Sequence, residues 1–206
     1  MAKQKFYVVW KGRKTGIFNT WDACAAQVSG YAGAEFKAFE SREAAQAAFR
    51  SEYAEFKGQP SSAGNWKTAK TRPVSPALCV DAACAGVPGP VEWRGVEFDS
   101  GRPIFRQGPF PDGTNNIGEF LAIVHALAWM KEKSLGWPVY SDSENAILWV
   151  GLKSCRTKMT RTGQNTGLFE LVARAEKWLA ENEYTNPVLK WDTAAWGEIP
   201  ADFGRK

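Results

Sequence analysis

Three carboxylates could share a site: Asp81 and Asp142, which end the apolar runs 77–80 and 138–140, and Glu119, in the first turn of a helix over 114–131. A charge at the end of a buried run is costly unless a cation or hydrogen bonds compensate it. Neighbouring parallel strands would present Asp81 and Asp142 at one sheet edge, where α/β proteins place their sites. Clustered acids repel one another, so a divalent cation is their natural tenant. With only oxygen ligands on offer that cation is hard, Mg2+ with Mn2+ as a substitute. Two such ions about 3.5–4 Å apart activate a water and steady the leaving oxygen of a phosphodiester. Each acid also has a plainer reading. Asn116, three residues before Glu119, makes a capping-box pattern in the first turn of a helix, and the two aspartates suit helix caps or solvated strand ends.

Composition narrows the alternatives. His125 is the one histidine in the chain, so RNA cleavage by a histidine pair is excluded, and its place inside an apolar helix marks it as a packing residue. The four cysteines, Cys24, Cys79, Cys84 and Cys155, form no CxxC pair. A zinc site or disulfide framework is therefore not expected, and reduced thiols in a cytoplasm are. No apolar run reaches the ~18 residues of a membrane span, and the first residues lack a signal-peptide core. Charge is uneven: residues 1–57 carry nine Lys and Arg against six acids, 58–73 add three bases and no acid, and 74–206 hold fourteen bases against sixteen acids. The front of the chain has the preference for a polyanion.

Strands and helices follow from periodicity. Residues 5–10 read as a strand, KGRKTG as a basic turn, and 17–21 as extended. Thr20 or Asp22 caps a short helix ending near Gly30. Residues 34–39 alternate as a strand, and Ser41 opens a helix over 42–56 with Ala45, Ala48, Phe49 and Phe56 on its apolar side. This is a unit of three strands and two helices over residues 1–57. Residues 58–76, rich in Gly, Pro, Ser and Lys without periodicity, read as a flexible basic linker. Residues 77–206 begin with a strand ending at Asp81 and continue with an antiparallel hairpin (VEWRGVEF, RPIFRQGPF). The Glu119 helix comes next, with Ile117, Leu121, Val124 and Ala128 on one stripe. A strand ending at Asp142, helices over 144–151 and 167–183, a fifth strand PVLKW and a terminal helix or turn complete it. The order predicts an α/β domain: a five-stranded mixed sheet with flanking helices on both faces.

Four motifs, VDAAC, TNNIGEFLAI, YSDSENAI and WGEIPADFGRK, in this order and spacing resemble those of type 1 ribonuclease H, especially bacterial members with a WGEI-AD-GRK ending. The resemblance covers residues 76–206. It implies the ribonuclease H-like fold and endonucleolytic cutting of the RNA strand of RNA/DNA hybrids by two-metal catalysis, leaving 5′-phosphate and 3′-hydroxyl ends. It implies Asp81, Glu119, Asp142 and Asp202 as metal ligands, with Asp142 bridging both ions. Many relatives carry a mobile histidine where this chain has Asp192; in the bacterial subgroup a glutamate matched by Glu198 stands in. Glu198 and Asp202 are four apart, so a helical turn would face both to the metals. Asn115 and Asn116 match residues that contact bases and backbone of the hybrid, and Thr114, Asn116 and Thr157 a pocket for a DNA-strand phosphate. Departures lie on the face that reads 2′-hydroxyls: Val87 replaces an Asn, and Cys84 and Glu144 stand where Ser and Gln are common. Lys158 replaces a hydroxyl beside Thr157.

FYVVWKGRKTGIFNTWDACAAQV and AEFKAF resemble the hybrid-binding, viroplasmin-like domain that precedes the catalytic domain in many of these enzymes. By position Tyr7, Trp21 and Phe36 match aromatics that pack on DNA-strand sugars, and Lys37 a phosphate contact; Ala38 replaces a second Lys. Residue types alone leave Trp21 and Phe36 open to a core reading. The expectation is a monomer whose basic module holds an RNA/DNA hybrid, with double-stranded RNA as a second ligand class, while the acids cut. Two rivals are a non-catalytic hybrid- or RNA-binding protein with structural acids, and a nuclease of the same fold acting on DNA.

Overall fold

The computed structural model describes residues 5–53, Phe56 and 64–204, and the chain divides into two compact units, the second starting at Gly64. In the first, β1 (Phe6–Lys11) lies between β2 (Gly16–Phe18) and β3 (Glu35–Phe39), antiparallel to both. Successive strand residues face opposite sides, so adjacent apolar residues imply a strand covered twice. Val8 is buried with Phe39, Ala45 and Ala48 beneath α2 (Arg42–Phe49), and Val9 with Cys24 and Val28 beneath α1 (Trp21–Val28). Thr20, not Asp22, caps α1 by accepting from the Ala23 amide, and Ser41 caps α2 likewise. The second helix stops at Phe49, about two turns short of expectation. The Trp10 indole donates to the carbonyls of Ala48 (3.2 Å) and Ser51 (2.9 Å), which satisfies the helix end. Phe56 stacks on Trp10 from beyond the helix, and Phe49 is exposed rather than apolar-facing.

The second unit contains the expected five-stranded mixed sheet, in the order β6-β5-β4-β7-β8. Its strands are β4 (Leu78–Cys84), β5 (Gly89–Glu97), β6 (Pro103–Gly113), β7 (Val139–Ser141) and β8 (Val188–Lys190). The pairs β4–β5 and β5–β6 are antiparallel, β4–β7 and β7–β8 parallel. Helices α3 (Asn115–Glu132), α4 (Glu144–Gly151) and α5 (Thr166–Glu181) pack over one face. The stripe on α3 is part of a larger buried surface: Ile117 to Val124 is buried on all sides because the sheet, α4 and α5 surround it. Gly118 lets it approach, since a Cβ there would come within 2.8 Å of the Ala82 Cβ and 2.7 Å of a Val91 methyl.

The other face departs from the expected second helical layer. It is closed by Cys79, Phe98, Tyr140 and Trp191, the short α6 (Thr193–Trp196), and Trp66. Trp66 comes from the stretch assigned to a linker over 58–76; residues 58–63 lie outside the described residues, and 64–76 are a strap on the sheet rather than flexible chain. The Trp66 ring meets Phe98 edge-on at 4.8 Å, and its amide donates to the Trp196 carbonyl (3.2 Å). The Trp196 indole returns a bond to the Thr71 carbonyl (2.9 Å), and the Val74 amide donates to the Tyr140 hydroxyl (2.8 Å). A strap anchored by a few rings and main-chain bonds needs no apolar period. All four cysteines are free thiols, and no helix among the described residues is long and apolar enough to cross a membrane.

Replacing Trp66 by Ala in the full chain should cost about 2 kcal/mol and lower the melting temperature of the second unit by about 4–8 °C. Unchanged melting would mean the strap does not hold.

Candidate metal centre and nucleic-acid surface

Strand register, more than local sequence, assembles the acids. In the parallel pair, Leu78 faces Val139 and Cys79 faces Tyr140; continuing that register by two residues sets Asp81 beside Asp142. Asp81 does not end its strand: β4 runs on to Cys84, paired with β5, and what ends near Asp81 is the pairing with β7. Asp142 follows the last residue of β7 and precedes Ser143, which caps α4 by accepting from the Ala146 amide. Glu119 is not in a capping box. Thr114 is the N-cap of α3, so Asn116 is already helical and Glu119 falls in the second turn, turned towards β4. Its Oε1 accepts from the Ala82 amide and from Asn115 Nδ2, both at 3.3 Å. Ligand oxygens of Asp81, Glu119 and Asp142 all lie within 4.8 Å of one another.

Burial and mutual repulsion act in the same direction here. Asp81 is 7% exposed and Glu119 2%. Loss of hydration, then the charges of Asp142 and Asp202, push the Asp81 carboxyl up to about 7, although the Phe203 amide (3.2 Å) favours its ionised form. Burial, then Asp81 and Asp142, push Glu119 up further. Glu119 Oε2 is buried without a hydrogen-bond partner. A buried acceptor with no donor, facing two more carboxylates, fits a hard cation, and these three side chains are the ones that would hold it.

Asp202 borders this trio rather than joining it. It follows a turn closed by its own amide on the Ile199 carbonyl (2.8 Å), and its Oδ2 accepts from the Gly204 amide (2.9 Å). The Arg94 guanidinium donates to the carbonyls of Ala201 and Asp202 from β5. Glu198 does not share a helical turn with Asp202: α6 ends at Trp196, and Gly197, at φ +81°, breaks the helix before Glu198, which is half-buried. Asp192 caps α6, its Oδ1 accepting from the Ala195 amide (3.0 Å). His125 stacks on Phe105 at 3.9 Å, and burial, with Arg174, lowers its pKa; it is a packing residue.

Thr114, Asn116 and Thr157 line one open groove of about 710 Å³, together with Asn145, Arg156 and Lys158. Asn115, between the first two, is tied to Glu119. Asn165 escaped the sequence reading because a buried amide in a polar run has no periodic signature. It shapes the groove wall by accepting from the Thr162 amide (2.7 Å) and donating to Asp112 (3.0 Å) and the Thr160 carbonyl (3.1 Å). Val87 stands at the rim, 87% exposed, while the Cys84 thiol turns to the Gly86 carbonyl (3.0 Å). In the first unit Trp21 lies 5.6 Å from Tyr7 and 5.8 Å from Phe36, and with Trp21 48% and Phe36 36% exposed this is a surface patch, not core. Lys37 donates to the Phe56 carbonyl (3.0 Å). Lys11, Arg13 and Lys14 of KGRK are all exposed, and Arg13 also donates to the Ala26 and Ser29 carbonyls at the end of α1.

A carboxyl whose folded pKa is raised contributes stability below the ordinary carboxylate range and loses it as pH rises through the folded value. Metal-free protein should therefore lose on the order of 2 kcal/mol, about 4–8 °C of melting temperature, between pH 4.5 and 8. Mg2+ should restore more at pH 8 than at pH 5, because binding competes with protons. Calorimetric melting at both pH values checks this, and Asp142→Asn should raise the metal-free melting temperature at pH 8.

Residues 5–49 match the Ribonuclease H1 N-terminal domain. Ribonuclease H of Saccharomyces cerevisiae is 48% identical over 67 residues, which are 32% of this chain and 17% of that protein. Ribonuclease H of Legionella pneumophila is 34% identical over 101 residues, 49% of this chain and 68% of that protein. The solved N-terminal RNase H domain of a Mycobacterium tuberculosis protein is 22% identical, with a TM-score of 0.36, covering 57% of this chain and 82% of that one. The chain spans 17% and 25% of the length of the budding- and fission-yeast relatives. With two thirds of the Legionella protein matched at this identity, and residues 5–49 matching the ribonuclease H1 N-terminal domain, the chain belongs to the ribonuclease H family.

Proposed function

We propose that this protein is an endonuclease that hydrolyses the RNA strand of RNA/DNA hybrids, leaving 5′-phosphate and 3′-hydroxyl ends, and that its front unit holds the duplex. The observation that carries the reading is the convergence of Asp81, Glu119 and Asp142 oxygens within 4.8 Å around a buried Glu119 Oε2 that no donor meets. Two Mg2+ ions, or Mn2+ in their place, would supply the positive charge that lets a phosphodiester accept water and release its leaving oxygen. The protein's own part is positional. Asp81, Glu119 and Asp142, with Asp202 at their border, hold that charge, and Asn115 and the Ala82 amide keep the Glu119 carboxylate turned inward. Glu198, on the loop after α6, serves the same site at product release.

Thr114, Asn116 and Thr157 grip a phosphate of the DNA strand, and Arg156 and Lys158 add charge to the groove they share. Tyr7, Trp21 and Phe36 offer rings to the DNA sugars, and Lys37 with the exposed Lys11 and Lys14 offers phosphate contacts. Tethering keeps the second unit near bound substrate and raises its effective concentration. The protein works as a monomer in a reducing cytoplasm. Cys84 is occupied with backbone and Val87 is apolar, so the reading of 2′-hydroxyls on this side rests on fewer polar groups than in the relatives it resembles.

Asp142→Asn should reduce Mg2+-dependent cleavage of a labelled hybrid by at least about 100-fold, a loss of some 3 kcal/mol of transition-state stabilisation. Cleavage at the wild-type rate would refute the metal assignment, and equal cutting of an all-DNA duplex would refute the substrate. Removing residues 1–63 should weaken hybrid binding and reduce the slope of log K against log salt by about 0.9 for each phosphate that is no longer neutralised, with cleavage of short saturating hybrids preserved. An unchanged slope would take the phosphate role from the front unit.

A further inference from the structure

One row of charge crosses the sheet of the second unit. Asp81 on β4 faces Arg94 on β5, and Arg94 faces Arg106 on β6. Opposite charges in register form a cross-strand pair, and like charges in register repel. Neither expectation describes what the guanidiniums do. The Arg94 Nε and Nη2 both go to main-chain carbonyls of the last segment, Ala201 at 2.7 Å and Asp202. The two arginines also share one ring: Phe203 lies 4.8 Å from the Arg94 guanidinium and 5.6 Å from that of Arg106. Arg106 is itself held by Glu92, which is 3% exposed, through Nε (2.8 Å) and Nη2. Beyond the ring, the Phe203 amide reaches Asp81 Oδ2 at 3.2 Å.

A like-charge pair on adjacent strands is tolerated here because the C-terminal segment lies on it. That segment supplies an aromatic face and two carbonyl dipoles, the partners guanidinium groups favour. It also carries Asp202, the one acid of the four that is set by neither a sheet strand nor α3. We propose that Arg94, braced by Phe203 and Arg106, is the positioning residue for Asp202: the arginines latch the last turn onto β5 and so bring the fourth carboxylate to the border of the other three. A planar fork holds two carbonyls on successive residues in one fixed geometry and stacks on a ring; a lysine ammonium can reach both carbonyls but lacks that plane. This inference rests on the assignment of Asp202 to the metal centre made above.

The test uses full-length Arg94→Met, Arg94→Lys, Phe203→Ala and Asp202→Asn, and the double variant Arg94→Met/Asp202→Asn. Arg94→Met and Phe203→Ala should each lower kcat on the hybrid about 10- to 100-fold, in the range found when outer partners of metal ligands are lost. KM should hold within about twofold, and Arg94→Lys should recover only part of the loss. Calorimetric titration with Mn2+ in the absence of substrate should show weakened binding in the same order. The double variant should be no slower than Asp202→Asn alone, because both changes remove one function. Phe203→Ala, which cuts the same contact from its other side, keeps the test valid should Arg94→Met melt early. Additive losses in the double variant, or wild-type Mn2+ binding in both single latch variants, would overturn the latch while leaving Asp202 in place. Wild-type cleavage and Mn2+ binding by Asp202→Asn would overturn the four-acid centre and the latch together.

Discussion

Three ionised carboxylates within 4.8 Å of one another would repel by roughly 3 kcal/mol per pair at an effective dielectric of about 20, a large fraction of a domain's total stability. The second unit is built to impose that repulsion rather than avoid it. A parallel register sets two of the acids side by side, and a glycine lets α3 come close enough to add the third. Arg94, the cross-strand neighbour of Asp81, could have neutralised the site, but it is bound to main-chain carbonyls instead. The charge is left for a proton or a cation to balance, and which of them does so is set by pH and metal concentration. If the proposed function holds, stability is given up locally for activity, the usual trade at a catalytic centre.

The acids could be read from the sequence because their positions follow from strand geometry. An apolar run ending in Asp says where a strand leaves the core, and parallel neighbours place such ends together. The same rule overshot at Asp81, where β4 continues because an antiparallel partner on its other side still pairs with it. At Glu119 a local signature misled. Asn116 and Glu119 have capping-box spacing, but Thr114 starts the helix earlier, and the glutamate is drawn to the Ala82 amide of another strand. Helical spacing between Glu198 and Asp202 failed for a related reason, since Gly197 ends α6 before either residue is reached. Arg94 was invisible as a functional residue because the carbonyls it holds lie 107 and 108 positions away.

The strap and the front-unit patch show where composition stops being informative. Residues 64–76 have a linker's composition, yet one tryptophan and a few main-chain bonds bind them to an apolar sheet face that no long helix among the described ones covers. In the front unit, helices on both faces of three strands take up the aliphatic residues and leave Trp21 and Phe36 exposed beside the half-buried Tyr7. Aromatic content alone cannot separate a core from such a patch, and here the resemblance to a known module decided it. Exposed clustered rings are a cost in water unless they meet a partner.

On the proposed function, the acid cluster and the adjoining groove of the second unit divide chemistry from binding. A phosphodiester is repelled by the acid cluster until cations sit there, so the cluster cannot supply affinity on its own. The adjoining groove, with Arg156 and Lys158 beside Thr114 and Asn116, attracts what the cluster repels, and Asn115 links the two by bonding to Glu119. The front unit carries its own excess of basic over acidic residues, which is the charge a polyanion would meet there. On the proposed function, a polyanion would be held by surfaces that carry no reactive group and would meet the acids only where cations have reversed their sign. Affinity and catalysis can then be tuned by different residues, which is the physical sense of joining a basic, aromatic module to an acidic centre in one chain.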